Sequence, residues 1–138
     1  MTTCGRILFA AVALVAIAGC SDPTSVAADP ATEIDAVIVA PERFKVLVEN
    51  EHVRVIEYAL APGEKDTPHT HPPKVSYVVS GGKLRIYTKD GESFEADEAT
   101  GAARWDEARP WHYVENTGDT PVRILLVEVK SAANKKSQ

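Results

Sequence analysis

From residue 34 to residue 129 the chain alternates short apolar runs with turn-forming residues. Nine such runs occur, at residues 34–39, 44–49, 53–60, 75–79, 84–88, 93–96, 102–105, 111–115 and 121–129. Several of them alternate polar and apolar positions, which is typical of half-buried strands. Asn50 and Glu51 separate two of the runs and indicate a hairpin. Because no stretch after residue 20 keeps a helical period, the pattern predicts an all-β domain built as a sandwich or small barrel.

The first residues follow a different pattern. Residues 7–18 form an unbroken apolar run after a single positive charge at Arg6. The run is too short for a transmembrane helix and is typical of a signal peptide. It ends in Ile17-Ala18-Gly19-Cys20, which resembles the lipobox of bacterial lipoproteins, where the cysteine is lipidated and becomes the first mature residue. The alternative is an ordinary secretory signal cleaved near Gly19, with Cys20 left as a free thiol.

We therefore predict four segments: a signal peptide at residues 1–19, a lipidated tether at 20–33, a β-barrel domain at 34–130 and a polar tail at 131–138. The tether is rich in Ser, Asp, Pro, Thr and Ala and has almost nothing to bury. Ser21 follows the cysteine, and by resemblance to lipoprotein sorting this favours the outer membrane. The expected location is the cell envelope, anchored by lipid and facing the periplasm, or the extracellular face. Once Cys4 leaves and Cys20 is acylated, no thiol remains for a disulfide.

The charge balance excludes some partners. The full chain has a net charge of −5, and the signal peptide carries only Arg6 among charged side chains. Its removal lowers Lys plus Arg from 15 to 14 against 20 acidic residues, which leaves −6. An acidic domain of this kind argues against nucleic acid or an anionic lipid surface as the main partner. Membrane contact is expected through the acyl chains alone.

The candidate chemistry lies in Pro68-His69-Thr70-His71-Pro72-Pro73. The prolines exclude helix, and in extended backbone two histidines two residues apart point to the same face. A third imidazole could come from His112, whereas His52 lies at a turn and is expected at the surface. Three neutral imidazoles that leave open positions suit Fe, Zn, Mn, Ni or Cu.

The spacing of these residues resembles the two motifs of the cupin superfamily of small jelly-roll barrels. The first motif is matched by Gly63, five intervening residues, His69-Thr70-His71 and then Gly81. In the second motif, ten residues separate Gly101 from His112, and three residues separate that histidine from Asn116. The resemblance covers residues 44–130. It implies a single-domain jelly-roll barrel and a divalent transition metal held by His69, His71 and His112.

Two positions depart from the motifs. Lys74 stands where counting back from Gly81 places the glutamate ligand, and Val75 or Ser76 stands where counting forward from His71 places it. In the second motif, Glu107-Ala108-Arg109 replaces Pro-x-Gly. If Lys74 points inward, its ammonium could hold an anionic substrate such as a carboxylate; if it points outward, it does not disturb a metal. Glu57 or Glu107 could restore a carboxylate ligand if the fold brings either one inward.

The leading hypothesis is a lipid-anchored cupin that binds one metal and acts as a dioxygenase-like oxidoreductase on a small organic substrate. The candidate substrate-binding residues are Lys74, Tyr77 and Trp111, although aromatic residues in strands more commonly serve packing. The alternative is a non-catalytic cupin that binds a small molecule or a metal. The resemblance also implies a homodimer as a plausible state.

Overall fold

The computed structural model describes residues 33–130 as one short helix and nine strands. The elements are α1 Ala36–Val39, β1 Phe44–Glu49, β2 Val53–Leu60, β3 His69–His71, β4 Lys74–Ser80, β5 Gly82–Thr88, β6 Ser93–Glu98, β7 Ala103–Asp106, β8 Arg109–Asn116 and β9 Val122–Val129. Eight of the nine apolar runs form strands, and the histidine pair forms β3. The predicted hairpin is present as β1 and β2, where the Asn50 side chain accepts hydrogen bonds from the backbone N–H groups of His52 and Val53.

The prediction of a strand at residues 34–39 is wrong, because α1 begins there at Ala36. The Asp35 carboxylate caps this turn by accepting a hydrogen bond of 3.0 Å from the backbone N–H of Val37. Ala36 and Ala40 then bury their side chains in the core. A six-residue apolar run fits either a strand or a helical turn, so periodicity alone does not decide between them.

The strands form two antiparallel sheets. One has the order β1-β2-β9-β4-β7 and the other β3-β8-β5-β6. Apolar side chains from the facing sides of both sheets form one cluster, which identifies the predicted jelly-roll sandwich. Its members from the strands are Phe44, Ile56, Tyr58, Leu60, Val78, Leu84, Ile86, Val114, Val122, Ile124 and Leu126.

Part of the space between the sheets is lined by polar side chains instead. These side chains point inward from every second position of their strands, as the apolar core residues do elsewhere in the domain. The buried polar residues on these strands are His69, His71, Lys74, Ser76, His112, Asn116 and Glu128. Asn116 serves the fold, because its amide donates to the carbonyl oxygens of Leu60 and Thr120 and its oxygen accepts from the N–H of Gly118.

The predicted signal peptide, the lipidated Cys20 and the polar tail lie outside the described residues, as does the tether except for Glu33. Within residues 33–130, no helix is long and apolar enough to span a membrane.

Candidate metal centre

The three predicted histidines meet between the sheets. His69 and His71 point inward from β3 because they are two residues apart in a strand. His112 reaches the same place from the neighbouring strand β8, where its backbone is paired with that of His69. All three side chains are buried, whereas His52 is exposed as predicted. The phenyl ring of Phe44 packs edge-on against His69 and His71 and limits their movement.

Hydrogen bonds orient each of the three imidazoles. In every ring the Nδ1 atom faces an oxygen that can only accept, so Nδ1 carries the proton and Nε2 carries the lone pair. The acceptors are the Thr67 carbonyl oxygen for His69 at 2.7 Å, Glu128 Oε1 for His71 at 3.0 Å and the Pro110 carbonyl oxygen for His112 at 2.9 Å.

The remaining nitrogens converge. The ligand atoms of His69, His71 and His112 all lie within 4.8 Å of one another, and the Nε2 atoms of His69 and His71 are 3.1 Å apart. Two lone pairs at this distance repel each other, and a cation between them removes that repulsion. For bonds of about 2.1 Å, adjacent ligands of a tetrahedral metal are roughly 3.4 Å apart. The cluster therefore fits a divalent metal site.

The environment keeps these rings in the state that a metal requires. Burial lowers the pKa of His69 and lowers that of His71 well below its ordinary value, with the Lys74 ammonium adding to the effect on both. Burial also lowers the pKa of His112 to about 2. The three imidazoles are therefore neutral at pH 7 and can act as ligands without first losing a proton.

Glu128 holds His71 from the opposite sheet. One of its carboxylate oxygens accepts from His71, and the other accepts from Arg54 Nε at 2.8 Å. Arg54 in turn donates to Asp35 at 2.7 Å. Burial raises the pKa of Glu128, and the neighbouring Arg54 guanidinium opposes that rise. Sequence reasoning missed this group, although an acid at an inward position of the apolar strand β9 is a usable signal.

Asp66 is a second residue that the sequence did not reveal. Its carboxylate accepts hydrogen bonds from the backbone N–H of Val114 at 2.7 Å and from the Tyr58 hydroxyl at 2.8 Å. Burial raises the pKa of Asp66 to about 6, against the opposing effect of these bonds. The contacts join the segment before β3 to β8 and to β2, and so fix the distance between the strands that carry the histidines.

Lys74 points into the interior, so of the inward and outward orientations that the sequence allows, the inward one is present. Only 4% of the residue is exposed, and its Nζ lies 3.8 Å from Asp106 Oδ2. Asp106 also accepts from the Ser76 hydroxyl at 2.5 Å and from Arg104 Nε at 3.0 Å. Burial lowers the pKa of Lys74. An ammonium at the motif glutamate position leaves three protein ligands for a metal.

The other candidate residues divide between the interior and the surface. Trp111 lines an outer cleft beside the histidines. Tyr77 is 45% exposed, faces away from Lys74 on β4 and lines neither cavity, so its role in substrate binding stays a prediction. Neither Glu57 nor Glu107 restores a metal ligand, because the first pairs with Arg123 at the surface and the second accepts from Trp105 Nε1.

Two adjoining cavities give access to the centre. The inner one, of about 70 Å³, is lined by the three histidines and Lys74 among others. The outer cleft, of about 330 Å³, is lined by both tryptophans. Both cavities are bordered by Asp106, Arg109 and His112, so the cleft meets the histidine cluster at His112.

The cupin domain family model matches residues 56–128, which is more than half of the chain. The chain belongs to the cupin family. A cupin domain from Bordetella pertussis Tohama I is 27% identical to it over 64% of this chain and 92% of that one, with a TM-score of 0.59. An RmlC-like cupin with a double-stranded β-helix fold from Methanocaldococcus jannaschii is 18% identical over 62% and 77% of the two chains, with a TM-score of 0.51. No curated protein matches this cupin.

The likeness to the second of these structures concerns the fold alone. The candidate metal centre of this cupin instead rests on its own donor set, three buried imidazoles whose Nδ1 atoms are held by hydrogen bonds. It departs from the first cupin motif at the glutamate position, where Lys74 forms an ion pair with Asp106.

Proposed function

We propose that this cupin is a dioxygenase-like oxidoreductase that holds one divalent transition metal through His69, His71 and His112 and acts on a small organic substrate. The observation that carries the proposal is the convergence of three lone-pair nitrogens on one point. When bound, such a metal supplies a Lewis acid and, for a redox-active ion, one-electron chemistry at its open positions.

The protein's own groups support this role in separate ways. Glu128 and two backbone carbonyls keep the histidine tautomers fixed, so the donor set is organised in advance. Lys74 and Asp106 place a charged pair beside the histidines that can orient a polar substrate group. The outer cleft admits the substrate, and the apolar core excludes water from the other sides.

Two observations favour a second candidate, a non-catalytic module that binds a metal or a small molecule. The inner cavity of about 70 Å³ holds on the order of two water molecules. No carboxylate without a partner stands in this cavity as a general base, since its acids Asp66, Glu98 and Asp106 all accept hydrogen bonds within the described chain.

Metal titration of the purified mature protein tests the proposal. We expect one equivalent of Fe²⁺, Zn²⁺ or Co²⁺ to bind, and Co²⁺ to give the visible absorption of a nitrogen-ligated ion. Oxygen uptake by the Fe²⁺-loaded protein, screened with small organic acids, then separates the two candidates. A protein that binds no metal in this titration would contradict both the oxidoreductase and the metal-binding module.

We also propose that the mature protein is anchored in the cell envelope through lipidated Cys20. The support is the lipobox-like sequence, and the tether would then place the domain at a distance from the bilayer. In an expressing bacterium, the wild type should partition with membranes and gain the mass of an acylated N-terminus, whereas Cys20→Ser should lose both properties. Membrane partitioning of Cys20→Ser equal to that of the wild type would exclude this anchor.

The homodimer is a further proposal, with a second copy of this chain covering the outer face of the five-stranded sheet. A row of four valines crosses four strands on that face, in the order Val48, Val55, Val127 and Val75. A continuous apolar row can meet the same row of a second copy related by a two-fold axis. The molecular mass in solution is the test, and a monomeric mass at micromolar concentration would contradict it.

A further inference from the structure

The outer cleft contains a guanidinium that forms no ion pair within residues 33–130. Arg109 lines both cavities, and within residues 33–130 its side chain makes no hydrogen bond and no ion pair. The other two cations of the inner cavity are paired. Lys74 lies 3.8 Å from Asp106, and Arg104 contacts Glu98 at 2.6 Å. Arg109 is therefore the group at this centre that is available to an anion.

The nearby acids are already engaged. Asp106 is surrounded by donors, since Ser76, Arg104 and Lys74 all approach its two oxygens. Glu107, two residues before Arg109, accepts a hydrogen bond of 2.7 Å from Trp105 Nε1. Within residues 33–130 no carboxylate lies within ion-pair distance of the Arg109 guanidinium, although Glu107 lines the same cleft. A metal bound at the histidines would add positive charge beside it.

The position of Arg109 connects the cleft to the histidines. It is the first residue of β8, its backbone is paired with that of His71, and His112 follows three residues later on the same strand. In the second cupin motif this position is a glycine, whereas here it carries a guanidinium. An anion bound by Arg109 would lie next to the open side of the metal centre.

The walls of the cleft define the rest of the ligand. Trp105 and Trp111, the only two tryptophans in the sequence, both line it, together with Ala108 and Pro110. Trp105 is 52% exposed, which leaves much of its apolar surface uncovered. A volume of about 330 Å³ is in the range of small-molecule sites. The combination of indole surfaces and one free guanidinium favours a flat apolar body that carries a carboxylate.

We propose that the cleft is a carboxylate subsite: Arg109 binds the carboxylate of a small organic acid whose flat apolar body lies along Trp105 and Trp111. The inference rests on the proposed function, for which it names the substrate class. The planar guanidinium can donate two parallel hydrogen bonds to a carboxylate, which a neutral isostere cannot accept in the same way. Arg109 is then a binding residue that selects the anion.

Tryptophan fluorescence provides a direct test, because every tryptophan of the chain lines the cleft. Metal-free protein is titrated with benzoate and, separately, with the neutral benzyl alcohol. We expect a saturable change with benzoate and at least about tenfold weaker binding of benzyl alcohol. Arg109→Gln should weaken benzoate binding by about tenfold or more, and Arg109→Lys should retain part of it. Arg123→Gln is the matched control, because Arg123 pairs with Glu57 on the outer face.

Equal binding of benzoate and benzyl alcohol, an Arg109→Gln variant that binds benzoate as the wild type does, or no response to benzoate would each overturn the proposal. Metal titration of Arg109→Gln separates this inference from the proposed function. One equivalent of Co²⁺ in a variant that has lost benzoate binding supports the carboxylate subsite. Benzoate binding that depends on Arg109 in a protein that takes up no metal would contradict the proposed function alone.

Discussion

Replacing His112 by alanine should lower the affinity of this cupin for a divalent metal by more than about 100-fold. Loss of a residue that only supports a metal ligand lowers the affinity by about 10- to 100-fold, and loss of a ligand should exceed that. The variant keeps His69 and His71, which come from the same short strand, but loses the nitrogen supplied by β8. Two imidazoles whose Nε2 atoms are 3.1 Å apart can still share an ion, though without the third nitrogen that fixes its position. Competition with a chromophoric chelator measures the loss.

The control for this prediction is His52→Ala, because the side chain of His52 is 71% exposed and lies outside the centre. It should bind one equivalent of metal with unchanged affinity. Far-UV circular dichroism of both variants checks that the sheets are intact. Binding of one equivalent by His112→Ala with the affinity of the wild type would mean that the ligands lie elsewhere.

The sequence was sufficient to predict that His69 and His71 act together, because the signal for this pair is local. Strand periodicity places His69 and His71 on one face, and the flanking prolines exclude the helical alternative. The strands were predictable for a similar reason, since their apolar alternation and the turn residues between them do not depend on distant parts of the chain. The spacing from Gly101 to His112 and on to Asn116 then supplied the third ligand through the cupin resemblance.

The groups that support the cluster could not be predicted, because their roles depend on strand register between distant segments. Glu128 reaches His71 across 57 residues of sequence, and Asp66 reaches Val114 across 48. The direction of Lys74 has the same origin. Period two fixes that Lys74 and Ser76 share a face, but only the pairing of β4 with β7 and β9 determines which face is inside.

Tyr77 and Arg109 show the same limit from the functional side. Tyr77 was a candidate because of its residue type, yet it faces outward because it lies between the inward-facing Ser76 and Val78. Arg109 gave no signal in the sequence beyond its departure from a motif. Only the structure shows that the neighbouring acids Asp106 and Glu107 bond to other residues and leave the Arg109 side chain without an ion pair among residues 33–130.

We expect the largest loss of stability for Gly81→Ala. It should lower the free energy of unfolding by about 3 kcal/mol or more, which is the upper end of what overpacking costs. Gly81 joins β4 to β5, and a Cβ there would lie 2.0 Å from the backbone oxygen of Glu98 and 2.8 Å from the backbone nitrogen of Thr100. Backbone atoms cannot rotate away as a side chain can, so β6 and the turn after it must move. For a domain of this size the melting temperature should fall by roughly 12 °C or more.

Gly63→Ala isolates the cause of this loss. At Gly63 a Cβ meets nothing within 4 Å, but its φ of +78° strains any other residue, by about 1–2 kcal/mol. Urea unfolding of both variants should therefore give a clearly larger loss for Gly81→Ala, and equal losses would show that the contact with Glu98 relaxes at little cost. Because the three ligands lie on β3 and β8, the folded fraction of Gly81→Ala should still bind one equivalent of metal. Loss of that binding in folded protein would instead mean that the turn at Gly81 helps to position the centre.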